Sequence, residues 1–264
     1  MKELCFEENV RLDLTEYTQA AMVTTCLAMT RVAESKGLKA DITAGLSLGE
    51  YPAIAAAGGM NDMDAIRLVR KRGILMQNTV PAGEGAMCAV ISMAAEEIEK
   101  VIEPIADVSV ANYNCPGQIV IGGEVAAVDK AAEVALELKA KRVVPLNVSG
   151  PFHTSLLEPA SKKLAEKLNQ VSFGNMNIPV VFNTTAKELQ SDETIAGLLT
   201  KQIMSSVYLE DSIRYMIDRG IDTFLEIGPG KVLSGFIKKI SKDVSIYQVE
   251  DVASLTKTLE SIKE

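Results

Sequence analysis

Apolar residues recur along this 264-residue chain at two spacings, one typical of helices and the other of short buried strands. The helical spacing predicts helices over residues 15–35, 52–57, 62–78, 193–204, 209–219 and 232–240. Short apolar runs between them predict strands over residues 42–44, 179–183, 223–227 and 245–249. Because strands and helices alternate, the pattern predicts an α/β fold.

The middle of the chain has a different order of elements. Residues 86–148 are predicted to give strand, helix, two strands, helix and strand, the βαββαβ order of ferredoxin-like domains. The helix-breaking segment Pro81–Gly85 precedes them and is a candidate hinge. We therefore predict a ferredoxin-like insert over residues 86–148, within a discontinuous core made of residues 1–85 and 149–264.

Arg72 lies at the centre of the apolar face of the helix predicted over residues 62–78. The neighbours on that face are Ala65, Leu68, Val69, Leu75, Met76 and Thr79. An arginine keeps its charge when buried and therefore needs an anionic partner. Three interpretations remain open: an internal Asp or Glu partner, a side chain that reaches the surface, or a clamp for a substrate carboxylate or phosphate.

Composition and charge exclude several classes of function. A net charge of −8 argues against broad binding to nucleic acids or acidic membranes, since both need a basic surface. No apolar run approaches the roughly 20 residues of a membrane span, and the N-terminus has no secretion signal, so we expect a cytoplasmic protein. The four cysteines are scattered without metal-ligand spacing, and His153 is the only histidine, so we expect no metal site.

Gly45-Leu46-Ser47-Leu48-Gly49 joins the strand predicted at residues 42–44 to the following helical run. Gly-x-Ser-x-Gly at such a junction is typical of a nucleophile elbow, in which the glycines allow the tight turn and the serine hydroxyl is exposed. A Gly-Ser turn that merely opens a helix has the same pattern. His153 precedes a helix predicted from Ser155, where Ser155 and Glu158 have capping-box spacing. There it is either a structural residue or a neutral general base.

Five segments together resemble the malonyl-CoA:acyl carrier protein transacylase family of acyltransferases, and they occur in the family's order along nearly the whole chain. They are Gly45-Leu46-Ser47-Leu48-Gly49-Glu50-Tyr51, Arg72-Gly73-Ile74-Leu75-Met76-Gln77, Asn112-Tyr113-Asn114-Cys115-Pro116-Gly117-Gln118, Pro151-Phe152-His153 and Glu226-Ile227-Gly228-Pro229-Gly230-Lys231.

The resemblance implies an α/β-hydrolase-like core with a ferredoxin-like insert. It also implies transfer of a malonyl group from malonyl-CoA to the phosphopantetheine thiol of acyl carrier protein, in fatty-acid or polyketide synthesis. The catalytic residues it implies are Ser47 as nucleophile, His153 as base, Gln202 as the residue that orients His153, and Leu48 as a backbone oxyanion donor. The substrate-binding residues are Arg72, Met76, Phe152, Asn112 and Asn114. We expect no tightly bound cofactor and a monomer.

Two departures from the family pattern affect this expectation. Leu46 replaces the family's usual histidine beside the nucleophile, which we expect to tune the pocket. The sequence also contains no Gly-Gln-Gly-Ser-Gln loop, which supplies a second oxyanion donor in the family, and removal of one such donor slows turnover by about 10²–10³. Two alternatives therefore remain: a truncated family member that binds a carrier protein or another subunit with little turnover, and a serine esterase or thioesterase.

Overall fold

A computed structural model describes residues 1–81, 83–148 and 150–262. These residues form eleven α-helices: α1 (Lys2–Phe6), α2 (Thr15–Ser35), α3 (Glu50–Ala56), α4 (Asp62–Thr79), α5 (Ala95–Ile102), α6 (Val125–Glu137), α7 (Glu158–Leu168), α8 (Ile195–Gln202), α9 (Leu209–Asp218), α10 (Val232–Ile240) and α11 (Val252–Ser261). They also form ten strands: β1 (Thr43–Ala44), β2 (Gly85–Ile91), β3 (Val108–Cys115), β4 (Gln118–Glu124), β5 (Arg142–Pro145), β6 (Val180–Phe182), β7 (Lys187–Glu188), β8 (Val207–Tyr208), β9 (Thr223–Ile227) and β10 (Ser245–Val249).

The α/β class predicted from the hydrophobic pattern is confirmed, but the helix start predicted at Ser155 is wrong. Residues Ser155–Leu157 form a 3₁₀ turn, and α7 begins only at Glu158, with Pro159 in its first turn. No side chain caps either start, so the capping box expected at Ser155 does not form. A helix that began at Ser155 would need a hydrogen bond from the backbone N–H of residue 159 to the carbonyl four residues earlier. Pro159 has no N–H, so it is tolerated only in the first turn.

A three-stranded sheet of order β1-β6-β7 supports the nucleophile segment. β1 and β6 are parallel, with Thr43 opposite Val180 and Ala44 opposite Val181. The carboxyl ends of both strands therefore lie at the same edge of the sheet. β9 and β10 form a separate parallel pair.

The predicted βαββαβ order is present as β2-α5-β3-β4-α6-β5. Its strands belong to a five-stranded sheet of order β5-β2-β4-β3-β8, and α5 and α6 share a buried cluster with it that includes Ile98, Val128 and Ile121. β8 comes from outside residues 86–148 and pairs with β3 in parallel. The division of the chain into an insert and a discontinuous core stays a prediction, and its boundary residue 149 lies outside the described residues.

The largest buried cluster packs α3, α4, α7 and α8 around β6. Its members include Tyr51, Met76, Leu164, Phe182 and Leu198. This cluster fixes the helices on which the candidate site is built. No helix in the described part of the chain has the length and apolar character to cross a membrane.

Candidate active site

Ser47 lies in a 3₁₀ turn between β1 and α3, as the elbow pattern predicts. Its φ of +49° is in the left-handed region, which is unfavourable for a residue with a Cβ atom. Gly45 is required sterically, since a Cβ there would lie 2.0 Å from the carbonyl carbon of Gly49. Gly49 has a φ of −64°, and a Cβ there would meet nothing within 4 Å. The prediction that both glycines serve the turn is therefore wrong for Gly49.

A chain of hydrogen bonds connects Ser47 to His153 and Gln202. Ser47 Oγ lies 2.7 Å from His153 Nε2, and His153 Nδ1 lies 2.7 Å from the backbone oxygen of Gln202. A carbonyl oxygen can only accept, so Nδ1 carries the proton and Nε2 has a free lone pair directed at the serine hydroxyl. This is the geometry of a nucleophile beside its general base, with a carbonyl in the position of the third member.

The imidazole of His153 is held in its neutral form. Burial, followed by the positive charge of Arg72, lowers the pKa of His153 to about 4, although hydrogen bonds to the backbone oppose this shift. A base must be unprotonated to accept the serine proton. His153 is therefore in its active form throughout the neutral pH range.

Arg72 is buried, with 1% of its surface exposed, and it contacts the nucleophile directly. Its Nη2 donates to Ser47 Oγ at 2.9 Å and to Gln202 Oε1 at 3.1 Å. Burial lowers the pKa of the guanidinium, and its charge lies 5.6 Å from the ring centre of Tyr51. Within the described residues Arg72 forms no ion pair, and its Nε has no hydrogen-bond partner. The internal ion pair and the surface-reaching side chain, both open from the sequence, are not observed.

The residues around Arg72 fix the position of α4. A Cβ on Gly73 would lie 2.7 Å from Glu16 Cα, so the glycine allows α4 to approach α2 closely. Gln77 Oε1 accepts from the backbone N–H of Glu16 at 3.3 Å. Met76 is buried in the main cluster, and its sulfur accepts from Gln19 Nε2 at 3.5 Å. The motif that follows Arg72 thus attaches its helix to α2.

Asn183 and Glu50 complete the network, and neither is among the site residues predicted from the sequence. Asn183 Oδ1 accepts from Ser47 N–H at 2.6 Å, and Asn183 N–H donates to Glu50 Oε2 at 2.8 Å. Burial raises the pKa of Glu50 to about 7 against the opposing effects of Asn183, Gln202 and Arg72. In the sequence, Asn183 is only the last residue of a predicted strand, and that strand ends in the structure at Phe182.

The other predicted site residues make no hydrogen bond to a side chain of this network in the described structure. Leu48 follows the nucleophile in the 3₁₀ turn. Phe152 is half-buried between the main cluster and a smaller one on the five-stranded sheet. Asn112 and Asn114 lie buried on β3, and Asn114 Oδ1 has no partner among the described residues. Leu46, the departure from the family pattern, packs against the cluster of α9 and α10.

A cleft of about 490 Å³ opens beside His153. Its lining is mainly polar and consists of Ser109, His153, Ser155, Thr184, Thr185, Lys201, Met204, Ser205, Ser206 and Tyr208. A ligand in this cleft would therefore lie beside His153. Among the described residues, no group of three His, Cys, Asp or Glu side chains could hold a metal ion.

Comparisons with known proteins agree on one family. The model of the acyl transferase domain family matches residues 4–260. The malonyl CoA-acyl carrier protein transacylase of Bacillus subtilis is 42% identical over 269 residues, covering 100% of this chain and 85% of that protein. The crystal structure of the transacylase of that name from Clostridium perfringens has a TM-score of 0.96 and 45% identity, covering 99% of this chain and 84% of that one.

A third comparison is with a complex of a type II polyketide synthase acyl-carrier protein and its malonyl-transacylase. It has a TM-score of 0.92 and 42% identity, covering 95% of this chain and 82% of that one. All four matches extend over nearly the whole chain, and the family model spans the segments that hold Ser47, Arg72, His153 and Gln202. The chain therefore belongs to the acyl transferase domain family and, within it, to the malonyl-CoA:acyl carrier protein transacylases.

Proposed function

We propose that this protein transfers a malonyl group from malonyl-CoA to the phosphopantetheine thiol of acyl carrier protein, through an acyl-enzyme on Ser47. One observation carries the proposal. Ser47 Oγ lies 2.7 Å from the base His153 and 2.9 Å from the buried cation Arg72, so nucleophile, base and anion-binding group meet at one atom.

Acylation begins when His153 Nε2 takes the proton of Ser47 and Oγ attacks the thioester carbonyl of malonyl-CoA. The backbone N–H of Leu48 donates to the oxyanion that forms, because N–H groups in a first helical turn lack intrahelical acceptors. The intermediate collapses, the bond to sulfur breaks, and the coenzyme A thiolate receives the proton from His153. Gln202 keeps the imidazole oriented through its backbone oxygen.

Arg72 selects an acyl group that carries a carboxylate. In a malonyl group one methylene separates the thioester carbonyl from the free carboxylate, so a carbonyl at Ser47 Oγ places that carboxylate beside Nη2. The guanidinium is buried without an ion pair among the described residues, and a bound carboxylate would supply the missing charge. A neutral acyl group offers no counter-charge to this cation.

The second half-reaction uses the same base. The carrier thiol enters through the cleft beside His153, loses its proton to Nε2 and attacks the Ser47 ester, which releases Ser47 with its proton restored. We assign the walls of the acyl pocket to Met76 and Phe152, and contacts to the incoming arm to Asn112 and Asn114. The bulk of Phe152 favours malonyl over methylmalonyl. We further propose that the protein acts as a cytoplasmic monomer with coenzyme A thioesters and acyl carrier protein as partners.

Labelling with radioactive malonyl-CoA tests the proposal. We expect label on Ser47 in the wild type and its transfer to added acyl carrier protein, with no label in Ser47→Ala. Undiminished labelling of Ser47→Ala would disprove the assignment. Arg72→Ala should lose the preference for malonyl-CoA over acetyl-CoA, and an unchanged preference would exclude the clamp. A serine esterase would instead hydrolyse p-nitrophenyl acetate faster than it uses malonyl-CoA.

A further inference from the structure

Asn183 lies at the carboxyl end of β6, directly beside the turn that carries the nucleophile. β6 pairs in parallel with β1, and Ser47 follows β1 as Asn183 follows β6. The side chain of Asn183 is buried, with 1% of the residue surface exposed. Its side-chain amide makes the two hydrogen bonds that the backbone of β6 would make to the neighbouring chain if the parallel pairing continued by one more residue.

The amide of Asn183 binds both sides of the turn. Its Oδ1 accepts from the backbone N–H of Ser47 at 2.6 Å, and its Nδ2 donates to the backbone oxygen of Gly45 at 2.6 Å. Two backbone groups that the sharp turn leaves without strand partners are thereby satisfied. The side chain of Asn183 therefore acts as an acceptor through Oδ1 and as a donor through Nδ2.

The backbone of Asn183 is itself fixed from two directions. Its N–H donates to Glu50 Oε2 at 2.8 Å, and its oxygen accepts from Tyr208 N–H at 2.9 Å. Glu50 is in the first turn of α3, and Tyr208 is in β8 of the five-stranded sheet. The backbone that carries the amide is thus hydrogen-bonded to α3, the helix after the nucleophile, and to the five-stranded sheet.

We propose that Asn183 is a positioning residue for the nucleophile, whose amide holds Ser47 in the left-handed conformation that places Oγ between His153 and Arg72. A residue with a Cβ keeps such a backbone conformation only when its surroundings impose it, and the two amide hydrogen bonds flank Ser47 directly. The inference rests on the proposed function, since it concerns the serine that receives the malonyl group.

Because the position needs one acceptor and one donor, the effect of Asn183→Asp should depend on the protonation of the introduced carboxyl. An ionised carboxylate has only acceptor oxygens, so it would face the backbone oxygen of Gly45 without a proton between them. A protonated carboxyl offers one acceptor and one donor, as the amide does. Burial and the neighbouring Glu50 raise the pKa of the introduced carboxyl, whereas Arg72 lowers it; His153 and Tyr51 are the other titratable groups of the network.

The experiment measures the single-turnover rate of malonyl transfer to Ser47 in wild type and Asn183→Asp. Misplacement of the nucleophile should slow acylation about 10²-fold at about pH 8, with the KM for malonyl-CoA little changed. The rate relative to wild type should recover at about pH 5.5, where the introduced carboxyl is protonated. Asn175→Asp makes the same change at an exposed asparagine and should keep the wild-type rate at both pH values.

Several results would overturn the inference. A folded Asn183→Asp protein that acylates at the wild-type rate excludes a positioning role, as does a loss that low pH fails to reverse. If Asn183→Asp does not fold, Asn183→Ala is tested in its place: a lower kcat at unchanged KM supports the role, and a wild-type kcat excludes it. If neither variant folds, Asn183 serves the fold alone. Absence of label on wild-type Ser47 would refute the proposed function instead.

Discussion

The imidazole of His153 should remain a working base well below the pH at which an exposed histidine is protonated. Its pKa is lowered to about 4, with burial as the main cause and the charge of Arg72 as the second. Since kcat/KM reports the ionisation of the free enzyme, its acidic limb should lie near pH 4 rather than near the ordinary value of 6.5. The measurement is the pH profile of kcat/KM with malonyl-CoA.

Two variants show which side chains determine the steps of this pH profile. Arg72→Ala, assayed with p-nitrophenyl acetate beside the wild type, should move the acidic limb upward, yet keep it below 6.5 because burial remains. Glu50→Gln should remove any step near pH 7, where Glu50 titrates. A wild-type limb at 6.5 would mean that the imidazole is not desolvated in the working enzyme.

Residue patterns in the sequence made Ser47, Arg72 and His153 candidates, each with a structural alternative, and the family resemblance supplied their roles; the structure brings the three together. The serine follows from the elbow pattern, the arginine from its place on an apolar helix face, and the histidine from being the only one. Asn183 could not be selected in this way. It is 136 residues from Ser47 in sequence, and only the pairing of β1 with β6 brings the two into contact.

The elbow as an element depends on one of its two glycines. A Cβ at Gly45 would lie 2.0 Å from Gly49 C and 2.6 Å from Glu50 N, both of them backbone atoms that cannot move aside without opening the turn. Gly45→Ala should therefore displace Ser47 and reduce acylation by about 10²-fold or more. The rate of labelling by malonyl-CoA checks this.

Gly49→Ala is the matched control two residues beyond the nucleophile. A Cβ there meets nothing within 4 Å, and the φ of −64° is ordinary for alanine. We expect the wild-type labelling rate and an unchanged or slightly higher melting temperature, since alanine fits this backbone conformation and leaves the unfolded chain less freedom than glycine does. Equal losses in the two variants would contradict the steric argument.

Elements with their own hydrophobic pattern were predicted well, including the short strands β1 and β6, whereas β7 and β8 were not predicted. The bounds of α2, α10, β9 and β10 agree with the sequence prediction. The two-residue strands β7 and β8 have no period of their own and exist because β6 and β3 offer free edges. Helix α11 was not predicted, although Val252, Leu255 and Leu259 have the helical spacing.

At the scale of the whole molecule, Glu50 and His153 should make opposite contributions to the pH dependence of stability. Both side chains are buried, and burial shifts each pKa in the direction that favours the neutral form. The pKa of Glu50 rises from 4.5 to about 7, and that of His153 falls from 6.5 to about 4. Between pH 4.5 and 7 the folded protein holds a proton on Glu50 that the unfolded chain has lost. Stability therefore decreases as the pH rises through this window.

His153 has the reverse effect. Between pH 4 and 6.5 the unfolded chain binds a proton that the folded imidazole does not, so stability increases with pH. Over the shared range of 4.5 to 6.5 the two slopes cancel, and these groups leave the wild-type free energy of unfolding nearly independent of pH. Each shift corresponds to about 3 kcal/mol.

Single substitutions should make each of the two opposing pH dependences of the free energy of unfolding measurable. Relative to wild type, Glu50→Gln removes the Glu50 contribution, so its stability should fall by about 3 kcal/mol as the pH drops from 7 to 4.5. His153→Gln removes the histidine contribution, so its stability relative to wild type should fall by about 3 kcal/mol as the pH rises from 4 to 6.5. Urea unfolding across this range measures both, with the double variant as the control that restores a flat difference. Parallel profiles for the two single variants would show that these side chains are hydrated in the folded protein, and the neutral imidazole on which acylation depends would then need another cause.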